Sequence, residues 1–135
     1  MLVEDEETKG AFKCGRFQVQ VSYDGEPHHS MKRGYSFDDA MPMLDLLHSN
    51  SIRFTLKSTV AEDSVALMPE CWKSYEKLYE KYGKEVSYSP TVDASSSLDH
   101  IDLSLWRSVA RELAKLEFSF IKRNKHPLMS WFRRD

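Results

Sequence analysis

The chain has 135 residues, of which 41% are hydrophobic and 30% are charged, and its formal net charge is −2. This size fits one domain that can bury a core without disulfide bonds, and the charge argues against a dedicated nucleic-acid binder, which is usually strongly basic. No stretch approaches the roughly 20 apolar residues of a transmembrane helix. The acidic first residues are unlike a secretory signal, and the two cysteines, Cys14 and Cys71, cannot form a disulfide framework. We therefore expect a cytoplasmic protein.

Strand patterns and helix patterns alternate along the chain. Alternating apolar and polar residues predict a first strand at Phe17 to Ser22, and β-branched and aromatic residues predict a second at Ile52 to Val60. A third strand is predicted at Glu85 to Ser89. The predicted loops are Tyr23 to Gly34, Ala61 to Ala66 and Asp93 to Ser97.

Three helices fill the intervals between and after these strands. The first is predicted at about Phe37 to Ser49, with Ser36 as its cap. Pro42 fits that helix only if the helix starts late or bends. Apolar residues at helical spacing predict the other two helices at about Pro69 to Tyr82 and Asp102 to Lys122.

The predicted order is therefore β-α-β-α-β-α. Helix-length crossovers between strands imply parallel pairing with right-handed connections. The expected fold class is α/β, a partial (half) β/α barrel of about three β-α units or a small open sheet, with ligands at the carboxyl ends of the strands. We divide the chain into an acidic segment (1–16), the partial barrel (17–122) and a basic aromatic tail (123–135).

Several short motifs follow one another in the first two thirds of the chain. They are Ser22-Tyr23-Asp24-Gly25 at a strand end, then His29, Arg33, Ser36-Phe37 at a helix start, Ile52-Arg53-Phe54-Thr55, and the later Val86 to Pro90. In their order and spacing these motifs resemble the second half of the barrel of radical SAM (S-adenosylmethionine) enzymes. The resemblance is to the sulfatase-maturing branch with SPASM extensions, and it covers about Phe17 to Pro90.

The same resemblance implies a cofactor and shows what this chain lacks. In the family, the Ser and Arg at the positions of Ser22 and Arg33 hold the amino-acid end of S-adenosylmethionine, through a hydroxyl and a guanidinium. The family's Cys-x-x-x-Cys-x-x-Cys motif and its cysteine-rich C-terminal extension are absent here. The resemblance therefore implies an iron–sulfur cluster only if a cysteine-bearing partner subunit supplies it.

Arg53 and Lys57 share one side of the second predicted strand with Thr55, because side chains alternate across a strand. Phe54 and Leu56 are then the residues that face the helices. If the polar side is the barrel lumen, the two cations suit an anionic ligand, and we include both as cofactor-binding candidates. The alternative is that they lie at exposed strand ends.

Other polar and aromatic groups have simpler interpretations. We expect Asp24-Gly25 to be structural, with glycine allowing a positive φ and aspartate bonding the next backbone amides. For His28-His29, a structural hydrogen bond is favoured over metal binding. We expect the aromatic stripe of the second helix to pack in the core. We expect the tail to be a disordered or docked terminus rather than a binder of an acidic partner or nucleic acid. The stripe consists of Trp72, Tyr75, Tyr79 and Tyr82.

Three functions remain open from the sequence. The chain completes the cofactor pocket of a split radical SAM enzyme, or it is a non-catalytic protein-binding or assembly module derived from a truncated barrel, or it binds acidic partners or nucleic acid through its tail. The near-neutral charge argues against the third. Because an open strand edge invites pairing, we expect the first strand to pair with a partner subunit, with a second copy or with the N-terminal segment.

Overall fold

The fold is described by a computed structural model over residues 19–61, 63–92 and 102–132. Within these residues three parallel strands form a sheet in the order β1-β2-β3. The strands are β1 (Val19–Ser22), β2 (Phe54–Val60) and β3 (Pro90–Val92). The helices are α1 (His28–Arg33), α2 (Met41–Ser49), α3 (Met68–Tyr82) and α4 (Leu103–Asn124). The predicted α/β class with parallel strands is confirmed.

The two faces of the sheet differ because side chains alternate along β2. Phe54, Leu56 and Val60 are buried, and the Phe54 ring lies edge-on to Tyr82 of α3 with centroids 5.7 Å apart. Thr55, between two of these buried residues, is exposed. One face is therefore apolar and packs against helices, as the alternation predicted, while the other face is polar and open.

The core lies between the apolar face of the sheet and the two longer helices, α3 and α4. Trp72 and Tyr75 of α3 are buried, and their rings pack against Phe120 of α4 and Tyr88, with centroids 5.8 and 4.8 Å apart. The aromatic stripe therefore packs in the core, as predicted. Glu117 is also fully buried, and its Oε1 accepts hydrogen bonds from Trp72 Nε1 (2.8 Å) and Met129 N (2.7 Å).

The helix predicted at Phe37 to Ser49 begins with a 3-10 turn. The Ser36 hydroxyl accepts from Asp38 N at 3.2 Å, Phe37–Ala40 form the turn, and α2 starts at Met41. Pro42 then falls in the first turn of α2, where its missing N–H costs nothing. The late start that the proline required is confirmed.

Two parts of the predicted secondary structure are wrong. The stretch predicted as a loop from Tyr23 to Gly34 contains α1, whose first turn is closed by a bond from His29 N to the Gly25 carbonyl (2.8 Å). The third strand lies at Pro90–Val92 rather than at Glu85 to Ser89. Its position is set by pairing with β2, in the register of Ser58 with Pro90.

The residues before β3 pair with the chain end instead. Tyr88 forms a parallel bridge with Met129, because Tyr88 N donates to the Leu128 carbonyl and Ser130 N donates to the Tyr88 carbonyl, both at 3.0 Å. Leu128 and Met129 are fully buried, so the tail is docked there. The predicted loop at Asp93 to Ser97 lies outside the described residues. Among the described helices, none is long and apolar enough to cross a membrane.

Candidate functional site

A polar cluster lies at the carboxyl ends of β1 and β2, where ligands bind in parallel α/β folds. Ser22 ends β1, and Lys57 is its partner on β2 in the parallel register. Both side chains are exposed on the polar face of the sheet, and neighbouring strands are about 4.8 Å apart. The structure therefore places Ser22 and Lys57 side by side on the sheet.

Asp24 connects this strand end to the surrounding polar groups. Its carboxylate is buried, and it accepts hydrogen bonds from Thr59 N (3.0 Å), Thr59 Oγ1 (3.0 Å) and Arg33 Nε (3.1 Å). Burial acts to raise the pKa of Asp24, but the bonds from Thr59 and the Arg33 charge outweigh it and lower the pKa. We predicted that Asp24 bonds the next backbone amides, but its carboxylate bonds to β2 and Arg33 instead.

Arg33 is the last residue of α1, and Gly34 ends that helix in a left-handed conformation, with φ of 75°. The Arg33 side chain is 30% exposed, and its Nε is held by the buried Asp24. Across the described residues, the structure shows no further hydrogen bond from this guanidinium. Its terminal N–H groups can thus bind a carboxylate while Asp24 fixes the plane of the group.

The turn after β1 is fixed against α3. Gly25 has φ of +90°, and a Cβ placed on it would lie 2.5 Å from the Cβ of Cys71. The Tyr23 hydroxyl and Glu26 N both donate to Ser74 Oγ at 3.0 Å. Glycine is therefore required here both for its backbone conformation and for the close approach of the helix.

The second histidine of α1, His29, is part of the packed turn. His29 is buried, and its Nδ1 accepts from Asp24 N at 3.2 Å, which confirms the predicted structural hydrogen bond. Its ring packs edge-on against Tyr23 and Phe37 with centroids 5.2 and 5.5 Å apart. Burial, with the nearby Arg33 charge, lowers the pKa of His29 and favours the neutral imidazole. No group of three possible metal ligands occurs among the described residues.

The structure brings three of the four predicted cofactor-binding residues into one region. Ser22 and Lys57 are neighbours, and Arg33 joins them through Asp24 and Thr59. Arg53 is exposed on the same side but four residues before Lys57, about 13 Å away along the strand. Thr59 was missed from the sequence, although the alternation that puts Thr55 and Lys57 on one face also includes it.

An open concavity of about 600 Å³ lies elsewhere, along the outer side of α4. Its described lining comes from α4 alone and shares no residue with the polar cluster. The lining residues are Ser104, Arg107, Ser108, Arg111, Glu112 and Lys115. The polar cluster at the strand ends and this concavity are therefore separate features.

Comparison with known proteins finds similarity in structure only. No family model and no curated protein matches the sequence. A solved structure, a histidine-tagged anSMEcpe with bound AdoMet (S-adenosylmethionine), matches with a TM-score of 0.63 and 14% sequence identity. The match covers 95% of this chain but only 37% of that chain. The chain therefore shares the fold of about a third of that structure, with parallel strands that alternate with helices.

Proposed function

We propose that this chain completes the S-adenosylmethionine pocket of a radical SAM enzyme whose cluster-binding half is absent from it. The observation that carries the proposal is the cluster at the strand ends, in which the buried Asp24, two residues after Ser22, holds the Arg33 side chain. The similarity of fold to an AdoMet-bound structure supports it. The substrate and the reaction are not part of the proposal.

The residues present fit the amino-acid end of the cofactor. The terminal N–H groups of Arg33 bind its carboxylate, and the Ser22 hydroxyl donates a further hydrogen bond. Asp24 acts as a positioning residue, because its carboxylate holds Arg33 Nε at 3.1 Å. In radical SAM enzymes the cofactor supplies a radical when it is cleaved reductively beside an iron–sulfur cluster.

The residues do not fit the cluster itself. A three-cysteine motif is absent from the sequence, which contains two cysteines in all. Cys71 is 3% exposed, and burial raises its pKa to about 12, so the thiolate that a metal needs is disfavoured. We infer that a cysteine-bearing partner half supplies the cluster, and we derive no chemical step through it.

The outer edge of β1 is the proposed contact with that partner. Tyr23 N points towards β2, since it donates to the Lys57 carbonyl at 2.8 Å. By alternation, the backbone groups of Gln20 and Ser22 point away from β2. Among the described strands β1 is at the edge of the sheet, and its sequence VQVS has no charge or proline that would block strand pairing. A further parallel strand from the partner would extend the sheet there.

Calorimetric titration with S-adenosylmethionine tests the pocket. We expect saturable binding by the wild-type chain and at least tenfold weaker binding by Arg33→Ala, because a charge-assisted pair is lost. Arg107→Ala is the matched control, since Arg107 lies on the outer side of α4. Absence of binding by the wild type, or equal loss in both variants, would contradict the proposed pocket.

A second candidate is a non-catalytic protein-binding or assembly module derived from a truncated barrel. The missing three-cysteine motif favours it for the isolated chain. Under this alternative the polar cluster only holds the turn after β1 in place. Titration then shows no cofactor binding, whereas Asp24→Asn still destabilises the fold.

A further inference from the structure

The polar face of the sheet continues beyond Ser22 and Lys57 to Ser89, the residue just before β3. Pairing of β2 with β3 begins with Ser58 and Pro90, so Lys57 and Ser89 each directly precede the first paired residue of their segment and lie next to each other. Pro90 and Tyr88 are buried, and Ser89 between them is partly exposed, so alternation puts its hydroxyl on the polar face. Ser22 on β1, Lys57 on β2 and Ser89 just before β3 therefore form a row across this face.

The Ser89 side of this row contains a second hydroxyl. Ser87 Oγ lies 3.2 Å from Ser89 Oγ, which confirms that both side chains project from the same face. Lys57 consequently has the cofactor-side hydroxyl of Ser22 on one flank and a hydroxyl pair on the other. Strands are about 4.8 Å apart, so each flank is within reach of the lysine side chain.

The charge of S-adenosylmethionine leaves the Lys57 ammonium without a counter-charge. S-adenosylmethionine has one carboxylate, an ammonium and a sulfonium, so its net charge is positive and Arg33 already meets its carboxylate. Lys57 forms no ion pair within the described residues, and the Asp24 carboxylate is bonded to Thr59 and Arg33 instead. When a partner half covers this face, Lys57 loses solvent, and an ammonium buried without a counter-charge is costly. A second, anionic group beside the cofactor removes that cost.

We propose that Lys57 and Ser89 form a subsite for a phosphate group of the substrate, next to the cofactor position. This inference rests on the proposed function, which identifies the neighbouring ligand as S-adenosylmethionine. Lysine binds phosphate as a point charge, whereas a planar carboxylate is better matched by the arginine fork. The Ser87 and Ser89 hydroxyls are hydrogen-bonded to each other, so the pair adds one free O–H donor from a different direction, which suits a tetrahedral group.

The test is a titration of the full chain with inorganic phosphate, followed by backbone amide chemical shifts at constant ionic strength. We expect saturable shifts at Lys57 and Ser89 that acetate and chloride do not reproduce. Lys57→Gln should weaken phosphate binding about tenfold or more, since one charge-assisted hydrogen bond is lost. Lys77→Gln removes the same charge from the exposed side of α3 and should leave binding unchanged.

Two further arms separate this inference from the cofactor pocket. Arg33→Ala should keep its phosphate response even where S-adenosylmethionine no longer binds, so failure of the pocket and failure of the subsite give different results. Phosphate should also bind in the presence of saturating S-adenosylmethionine. Competition between the two would overturn the subsite, and so would equal phosphate affinity in Lys57→Gln and Lys77→Gln.

Discussion

Replacing Gly25 by alanine tests how the turn after β1 is held against α3. The new methyl group would lie 2.5 Å from Cys71 Cβ and 2.8 Å from Cys71 Cα, and real Cβ contacts do not occur below 3.0 Å. The Cα belongs to the helix backbone, so relief requires a shift of α3 rather than a change of rotamer. Gly25→Ala should therefore displace the turn that carries Asp24.

Two costs add in this variant. A non-glycine residue at φ of +90° costs roughly 1–2 kcal/mol, and overpacking against a fixed backbone typically costs about 1–3 kcal/mol. We expect Gly25→Ala to lower the free energy of unfolding by about 2–5 kcal/mol. For a domain with the usual marginal stability this is a large fraction of the total.

Gly34→Ala is the matched control. Gly34 has φ of +75°, but a Cβ placed on it meets nothing within 4 Å. Its replacement should cost only the conformational part, about 1–2 kcal/mol. Urea unfolding followed by circular dichroism measures both variants. If the two substitutions lower the free energy of unfolding equally, the close contact between the turn and α3 is not what requires Gly25.

Further predictions concern buried polar groups. Glu117→Ala should lower the free energy of unfolding by about 2–4 kcal/mol, because two buried N–H donors lose their acceptor. Glu117→Gln keeps an acceptor and should lower it less in the same urea assay. Equal losses in the two variants would refute this account. The pKa of Asp24 is lowered in the fold, so its contribution to stability is present above its ordinary pKa of 3.8 and is lost as the pH falls below it. Asp24→Asn should flatten the acid limb of a plot of unfolding free energy against pH, and an unchanged limb would count against the role of this carboxylate. The pKa of His29 is lowered from 6.5, so the unfolded chain binds the proton first and stability should decline as the pH falls below 6.5. His29→Asn should remove that decline, whereas a wild-type chain with equal stability at pH 7.5 and 5.5 would contradict it.

Local patterns in the sequence were sufficient for most of the elements. Alternation along β2 predicted both its position and its two faces, because the period of a strand is visible in the order of residues. The cap at Ser36 and the late start of α2 at Met41 followed from the restricted chemistry of serine and proline. Parallel pairing followed from the lengths of the crossovers.

Interactions between distant residues decided the rest. Residues 85–89 have the alternation of a strand, but Tyr88 bonds to the chain end around Met129 and pairing with β2 begins only at Pro90. Glu117 falls on an apolar helix face, where the sequence cannot show that Trp72, 45 residues away, supplies a donor. Tertiary packing overrides local preference in such places.

The candidate site shows the same division. The sequence by itself determined which residue types follow each strand. The family resemblance singled out Ser22 and Arg33, and alternation along the second strand singled out Lys57. Only the register of β1 with β2 placed Ser22 beside Lys57. Only the tertiary structure showed that Asp24 accepts hydrogen bonds from both Arg33 and Thr59. These arrangements depend on which strands meet and in what register, and burial of one face of the sheet sets that register.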